Sequence, residues 1–190
     1  SQGDCSIGHA RGHQGQRGKE AGDLGSAAQG KRSANPVGYR DAEVFDGQSL
    51  VLEGQSIEIA GVDGLENRRY LWVPSLQAVF GGVLVFSGVH VWTADTQGAE
   101  GRAAWVKALD AMAARKPAVV VPGHMATGAA ADSTAIRYTR DYLVAFEEEL
   151  AKAADSAALI AAMTKRYPDA GMGVALQIGA KVAKGEMKWG

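Results

Sequence analysis

The chain reads as an α/β layered domain, residues 44–190, preceded by a segment, residues 1–43, that does not fold. Three observations carry this reading. Short apolar runs of strand length fill residues 49–86. Helical spacing takes over from residue 99 and is interrupted once, by Val119-Val120-Val121. The first 43 residues follow neither period. Strands, then helix, strand and three helices are the order of a sheet covered by helices.

The leading segment is Gly-, Gln-, Arg-, Ser- and Ala-rich. Nine glycines are spread over residues 1–42, and the large apolar side chains there are Ile7, Leu24, Val37 and Tyr39. Such a stretch cannot bury enough apolar surface to offset roughly 1–2 kcal/mol per residue of backbone entropy. Disorder is therefore expected. Its charges nearly cancel, its Arg-Gly pairs are sparse and aromatics are scarce. An Arg/Gly nucleic-acid tail does not fit that composition.

From Val44 the order changes. Residues 49–53 and 56–60 alternate as two strands of a hairpin around Gly54-Gln55. Residues 70–74 form a third strand, and 78–80 and 83–86 two more, separated by Gly81-Gly82. Residues 83–86 are apolar on both faces, the mark of a strand buried on both sides. Trp105, Leu109 and Met112 fall at i, i+4 and i+7 of a helix over 99–115 that Pro117 ends. Residues 118–121 make a short buried strand stopped by Pro122-Gly123. Asp132 or Ser133 caps a second helix with Ile136, Leu143, Phe146 and Leu150 inward. Asp155 or Ser156 caps a third, with Leu159, Ile160, Met163 and Tyr167 inward. A last helix carries Val174, Ile178 and Val182 and gathers lysines near its C-terminal end, as the helix dipole favours.

Composition narrows the function. Of 190 residues 46% are apolar, enough for a core, and 20 Lys plus Arg stand against 21 Asp plus Glu. That balance gives no electrostatic drive toward nucleic acid or an anionic membrane. The apolar stretch 79–91 is interrupted by Gly81, Gly82, Ser87, Gly88 and His90, and no membrane span is expected. The single cysteine, Cys5, excludes a disulfide framework within the chain. No charged start followed by an apolar run is visible, so no signal peptide is expected; a cytoplasmic and a periplasmic location both stay open.

Three places can carry chemistry. His124 follows a buried strand in Val121-Pro122-Gly123-His124, and α/β folds bind ligands beyond the carboxyl ends of strands. It is a metal ligand or proton carrier, or a loop histidine without a role. His90 and Asp95 follow another buried strand. The carboxylate can orient an imidazole beside a metal, or His90 packs on Trp92 while Asp95 opens a turn with Thr96. His9 and His13 share the i, i+4 spacing of a helical zinc pair, but Gly8 and Gly12 disfavour the helix. No G-x-S-x-G elbow, phosphate-binding loop or dinucleotide fingerprint occurs.

Two segments stand out, Tyr70-Leu71-Trp72-Val73-Pro74-Ser75-Leu76-Gln77-Ala78-Val79-Phe80-Gly81-Gly82-Val83 and His90-Val91-Trp92-Thr93-Ala94-Asp95-Thr96. Through them residues 44–190, about three quarters of the chain, resemble the C-terminal half of bacterial metallo-β-lactamase-fold hydrolases. The resemblance extends to Pro122-Gly123-His124 and to the helix around 138–149. It implies a partial αββα sandwich with a zinc site at one edge of its two sheets. It also implies zinc-dependent hydrolysis of a small-molecule ester, thioester or lactam. His124 matches the family's last histidine ligand, with His90 and Asp95 as candidate neighbours. The family's H-x-H-x-D-H motif is absent, and its bridging aspartate, in a G-D-x-x-F pattern, falls at Val83 of Gly82-Val83-Leu84-Val85-Phe86. A catalytic zinc keeps three protein ligands and a water. The resemblance therefore implies an impaired or inactive hydrolase by ancestry; the alternative is a metal-free α/β remnant or protein-interaction domain.

The leading segment offers an account of the missing motif. One set of codons permitted for residues 20–29 reads KLETWGPQL when shifted by one base, a string similar to what the family carries before this point. The segment is then an out-of-frame tail joined to a truncated, in-frame domain. A sandwich lacking much of one sheet leaves the inner face of strands such as 83–86 open, which predicts self-association.

Overall fold

The computed structural model describes residues 44–190. The expectations placed on residues 1–43 (disorder, a shifted frame, the His9 and His13 pair) lie outside the described residues. The first strands are β1 (Ser49–Leu52), β2 (Gln55–Val62), β3 (Leu65–Val73) and β4 (Ala78–Phe80). They pair antiparallel in chain order, and β6 (Val119–Val121) adds in parallel beside β4. Two residue pairs make the first turns. Leu52 pairs with Gln55 across Glu53-Gly54, and Val62 with Leu65 across Asp63-Gly64. Glu53 and Gly54 both take positive φ, 50° and 78°, as a two-residue hairpin turn of the right twist requires. The first turn is thus one residue earlier than the sequence reading placed it, and β2 and β3 run on to the Asp-Gly turn.

Helix α1 (Ala99–Ala114) crosses from β4 to β6. Helices α2 (Ser133–Lys152), α3 (Ser156–Arg166) and α4 (Gly173–Ala183) follow β7 (His124–Met125). The caps resolve to the aspartates. Asp132 Oδ1 accepts from the Thr134 amide at 2.8 Å, and Asp155 Oδ1 from the Ala158 amide at 2.8 Å. Each satisfies a donor that the first helical turn leaves free. The inward residues of α1 and α2 are those of the predicted helical face. Trp105, Leu109, Met112, Ile136, Leu143 and Phe146 are all buried against Tyr70, Trp72, Val79 and Val120 of the sheet.

The run 83–86 departs from the expected strand. After Phe80 the chain makes one 3-10 turn, Gly82–Leu84, and only then β5 (Phe86–Ser87), which pairs in parallel with β7. Register explains this. Phe80 pairs with Val121 and Phe86 with His124, so five residues on one track, 81–85, face two on the other, 122–123. The three surplus residues are taken up as the turn. Leu84, Val85 and Phe86 are fully buried nonetheless. Of the face expected to be open at 83–86, only Val83 is exposed and 84–86 are covered: Trp105 Nε1 donates to the Leu84 carbonyl at 2.9 Å, and Thr139 Oγ1 bonds both the amide and the carbonyl of Phe86. The bare apolar surface lies instead on the other side of the five-stranded sheet, where Leu71, Phe80, Val119 and Val121 remain exposed.

Among the described residues no helix is long and apolar enough to cross a membrane. Trp105 joins helix, sheet and turn, and Trp105→Ala should cost about 3–5 kcal/mol. Urea denaturation at fixed protein concentration measures it.

Candidate functional site at the double strand break

The site is made by the two tracks breaking at one level. The 81–85 turn and the 122–123 link are stitched together. Gly81 N donates to the Val121 carbonyl at 2.9 Å and Gly123 N to the Val85 carbonyl at 3.0 Å. A β-carbon at Gly123 would stand 2.1 Å from the Gly82 carbonyl oxygen. Only glycine permits that approach, which accounts for Gly123 physically. His124 emerges directly after it. Its ring stacks on Phe86 at 4.9 Å between centroids and is half-buried. Val83 sits on the turn packed against this link, with its side chain 47% exposed and its carbonyl accepting from Arg68 at 2.6 Å. The position matched to a bridging aspartate thus lies at the same edge as His124, and it carries an isopropyl group.

The other candidates are engaged elsewhere. His90 is buried; its Nδ1 lies 3.0 Å from the Tyr142 hydroxyl, and its amide donates to the Gly171 carbonyl. Its aromatic partner is Tyr142, edge-on at 5.8 Å. Burial pushes the Tyr142 phenol far above its ordinary value. Burial likewise pushes the His90 imidazole below its ordinary value. Tyr138 beside it, raised to about 12 by burial, donates to the Val89 carbonyl at 2.8 Å. Asp95 is exposed and accepts from Trp189 Nε1 at 2.6 Å.

Two residues absent from the sequence reading hold the loop that carries His90 and Asp95. Arg68 on β3 and Arg102 on α1 are both buried and converge on Thr96. Arg68 donates to Thr96 Oγ1 at 3.0 Å and lies over Trp105 at 4.1 Å. Arg102 donates to the carbonyls of Thr96 and Gln97 at 3.0 and 2.6 Å and pairs with Glu147. Burial lowers the Arg68 pKa, and the charge of Asp95 opposes that shift. A buried charge is tolerated only when its donors are satisfied, as here. The sequence did hold a signal: Arg68, Tyr70 and Trp72 share one face of a strand by period two.

A catalytic zinc site needs three protein ligands. Among the described residues no three His, Cys, Asp or Glu side chains gather into a group able to hold a metal. His124 offers one nitrogen, Val83 offers none, and His90 Nδ1 is engaged with Tyr142. The described residues do not fit a catalytic zinc.

No protein-family model matches the chain. No curated protein sequence matches it either. Solved structures do. A metallo-beta-lactamase from Pontibacter korlensis is 23% identical over 53% of this chain and 47% of its own, with a TM-score of 0.40. TMB-1 is 18% identical over 56% and 49%, with a TM-score of 0.41. The DIM-1 metallo-beta-lactamase exposed to ceftazidime is 22% identical over 52% and 45%, with a TM-score of 0.39. The chain spans about half the length of these structures, and the likeness is one of fold.

Two outcomes are expected. Gly123→Ala should destabilise by about 1–3 kcal/mol, the cost of forcing atoms into a packed contact, read as a lower urea midpoint at unchanged slope. For His90, the unfolded chain takes up a proton near pH 6.5 that the folded chain resists. Its contribution is full above about pH 6.5 and is lost as pH falls below that value. His90→Gln should flatten the decline in stability between about pH 7 and 5, where carboxylates are still ionised.

Proposed function

We propose that this chain is a metallo-β-lactamase-type hydrolase domain by descent, and that zinc-dependent hydrolysis is impaired in it. The ancestral substrate class is a small-molecule ester, thioester or lactam. The observation that supports the reading is that the turn carrying Val83 and the link leading into His124 close on each other at Gly82 and Gly123, so a residue type able to ligate zinc and one unable to do so follow the same break. A hydrolytic zinc lowers the pKa of its bound water to about 7 only when several ligands hold it in an open geometry. One imidazole does not do that. The motif that would add the other ligands, H-x-H-x-D-H, occurs nowhere in the 190 residues. His124 is then a relic of the site, and His90 and Asp95 act as scaffold: one inside the tyrosine cluster, the other holding Trp189.

A second reading is favoured by one feature. The sheet face bearing Leu71 and Phe80 is exposed, which suits a metal-free interaction domain better than a self-sufficient enzyme. The two readings share a history and differ only in present use.

Elemental analysis of tag-free protein tests the proposal. Well below one zinc per chain is expected, with no change in His124→Ala, and no turnover of chromogenic ester, thioester or lactam probes above background. About one zinc per chain that disappears in His124→Ala, with turnover lost alongside it, would overturn it.

A further inference from the structure

We infer that the cleft between α1 and α2 binds a small organic phosphate, a phosphate monoester with an apolar body. The cavity measures about 510 Å³, within the ~300–1,000 Å³ of small-molecule sites. Leu109 and Ala113 of α1, Pro117 of the link that follows and Ile136 of α2 make its apolar wall. Leu109 and Ile136 belong to the core, so packing fixes that wall. Lys116, Arg137 and Arg140 bring three cations to the same cavity, and Asp110 one acid. His124, Val83 and Phe86 do not line it, so it is separate from the double strand break.

Three arguments give the ligand its chemistry. The first is charge. Asp110 Oδ1 accepts from Arg140 Nε at 2.6 Å, so the acid is engaged by one of the three cations. Among the described residues Lys116 and Arg137 form no ion pair. Asp132 stands just outside, but its Oδ1 is held by the Thr134 amide and hydroxyl, and Arg137 acts on it more weakly than those bonds do. The carboxyl end of α1 and the amino end of α2 both meet the cleft with opposed partial charges, so the side chains set the sign. Two positive charges are left unmatched there, in a chain whose formal net charge is -1. A phosphate monoester carries about −1.5 to −2 near neutral pH and matches them; a single carboxylate does not. The second argument is the backbone of Lys116. Its φ is 51°, in the left-handed region where the residue after a helix is ordinarily glycine. Its amide donates to the Ala113 carbonyl at 3.0 Å, a bond glycine would make as well. What lysine adds at that position is a charge at the cleft. The third is the apolar wall, which favours an ester over the inorganic ion because only the ester brings apolar surface to cover it.

Isothermal titration of the full chain with phenyl phosphate, at about 50 mM salt where exposed charges are weakly screened, tests it. One-site binding is expected, weakening as salt rises and about tenfold tighter than that of inorganic phosphate. Lys116→Gly and Arg137→Gln should each lower the affinity about tenfold, the loss of one charge-assisted hydrogen bond. Glycine is at ease at a positive φ, so Lys116→Gly should hold or raise the thermal midpoint, and its weaker binding is then not a loss of fold. Lys165→Gln, on α3, removes the same charge away from the cleft and should leave the affinity unchanged. No saturable heat up to about 10 mM phenyl phosphate, equal affinity for inorganic phosphate, or an affinity that survives both cleft substitutions would each overturn the inference.

Discussion

The approach of Gly123 to Gly82 is the contact on which the rest of the described fold turns. Two parallel tracks can break at one level only if their backbones nearly touch there, and a methyl group would prevent it. Because the break is closed, the 82–84 turn drives Leu84 inward while leaving Val83 outside. Because Leu84 is inward, its carbonyl meets the Trp105 indole, and Trp105 in turn becomes the platform for Arg68. Arg68 then reaches both the Val83 carbonyl and Thr96. One glycine pair thus sets the position of a helix, a loop and the histidine that follows.

The site and the sheet obey different economies of polarity. Around Thr96 two guanidinium groups are buried, and each has carbonyl, hydroxyl or carboxylate partners. Leaving either donor set unmet would be expensive in so dry a place. Around His124 there is little of that kind; the ring leans on Phe86 and the neighbouring position is aliphatic. The edge at His124 is thus half-open and largely apolar, whereas the Thr96 region is closed and polar.

Much of this was legible in the residues. The helix faces at Trp105, Leu109 and Met112 and at Ile136, Leu143 and Phe146 follow from period alone, because an amphipathic stripe has one way to be buried. The sequence narrowed each cap to an Asp-Ser pair, and the side-chain bonds of Asp132 and Asp155 decide between them. The run 83–86 did not declare its turn: four apolar residues in a row have no period, and the three-residue surplus exists only relative to a strand almost forty residues away. The Asp63-Gly64 pair carries a turn signal, but the polar residues before Tyr70 hide the length of β3 from period alone. The strand before His124 was legible from Val119-Val120-Val121 and the Pro122-Gly123 stop. Sequence reading could not place His90, whose partner Tyr142 lies fifty-two positions on, in a helix whose rotation only packing decides.

The four tryptophans divide into unlike optical environments. Trp105 is sealed, its indole N–H bonded to a carbonyl and its ring under a cation. Trp72 lies on the same covered side of the sheet. Trp92 and Trp189 meet edge to face at 5.1 Å near the surface, the latter second from the last residue and tied to Asp95 and Gln97. The end of the chain is therefore a latch on the loop that both arginines hold. Loosening that latch alters the emission of the outer pair while the inner indoles stay dark to the event. Intrinsic fluorescence can thus separate release of the C-terminus from loss of the core, with no label attached.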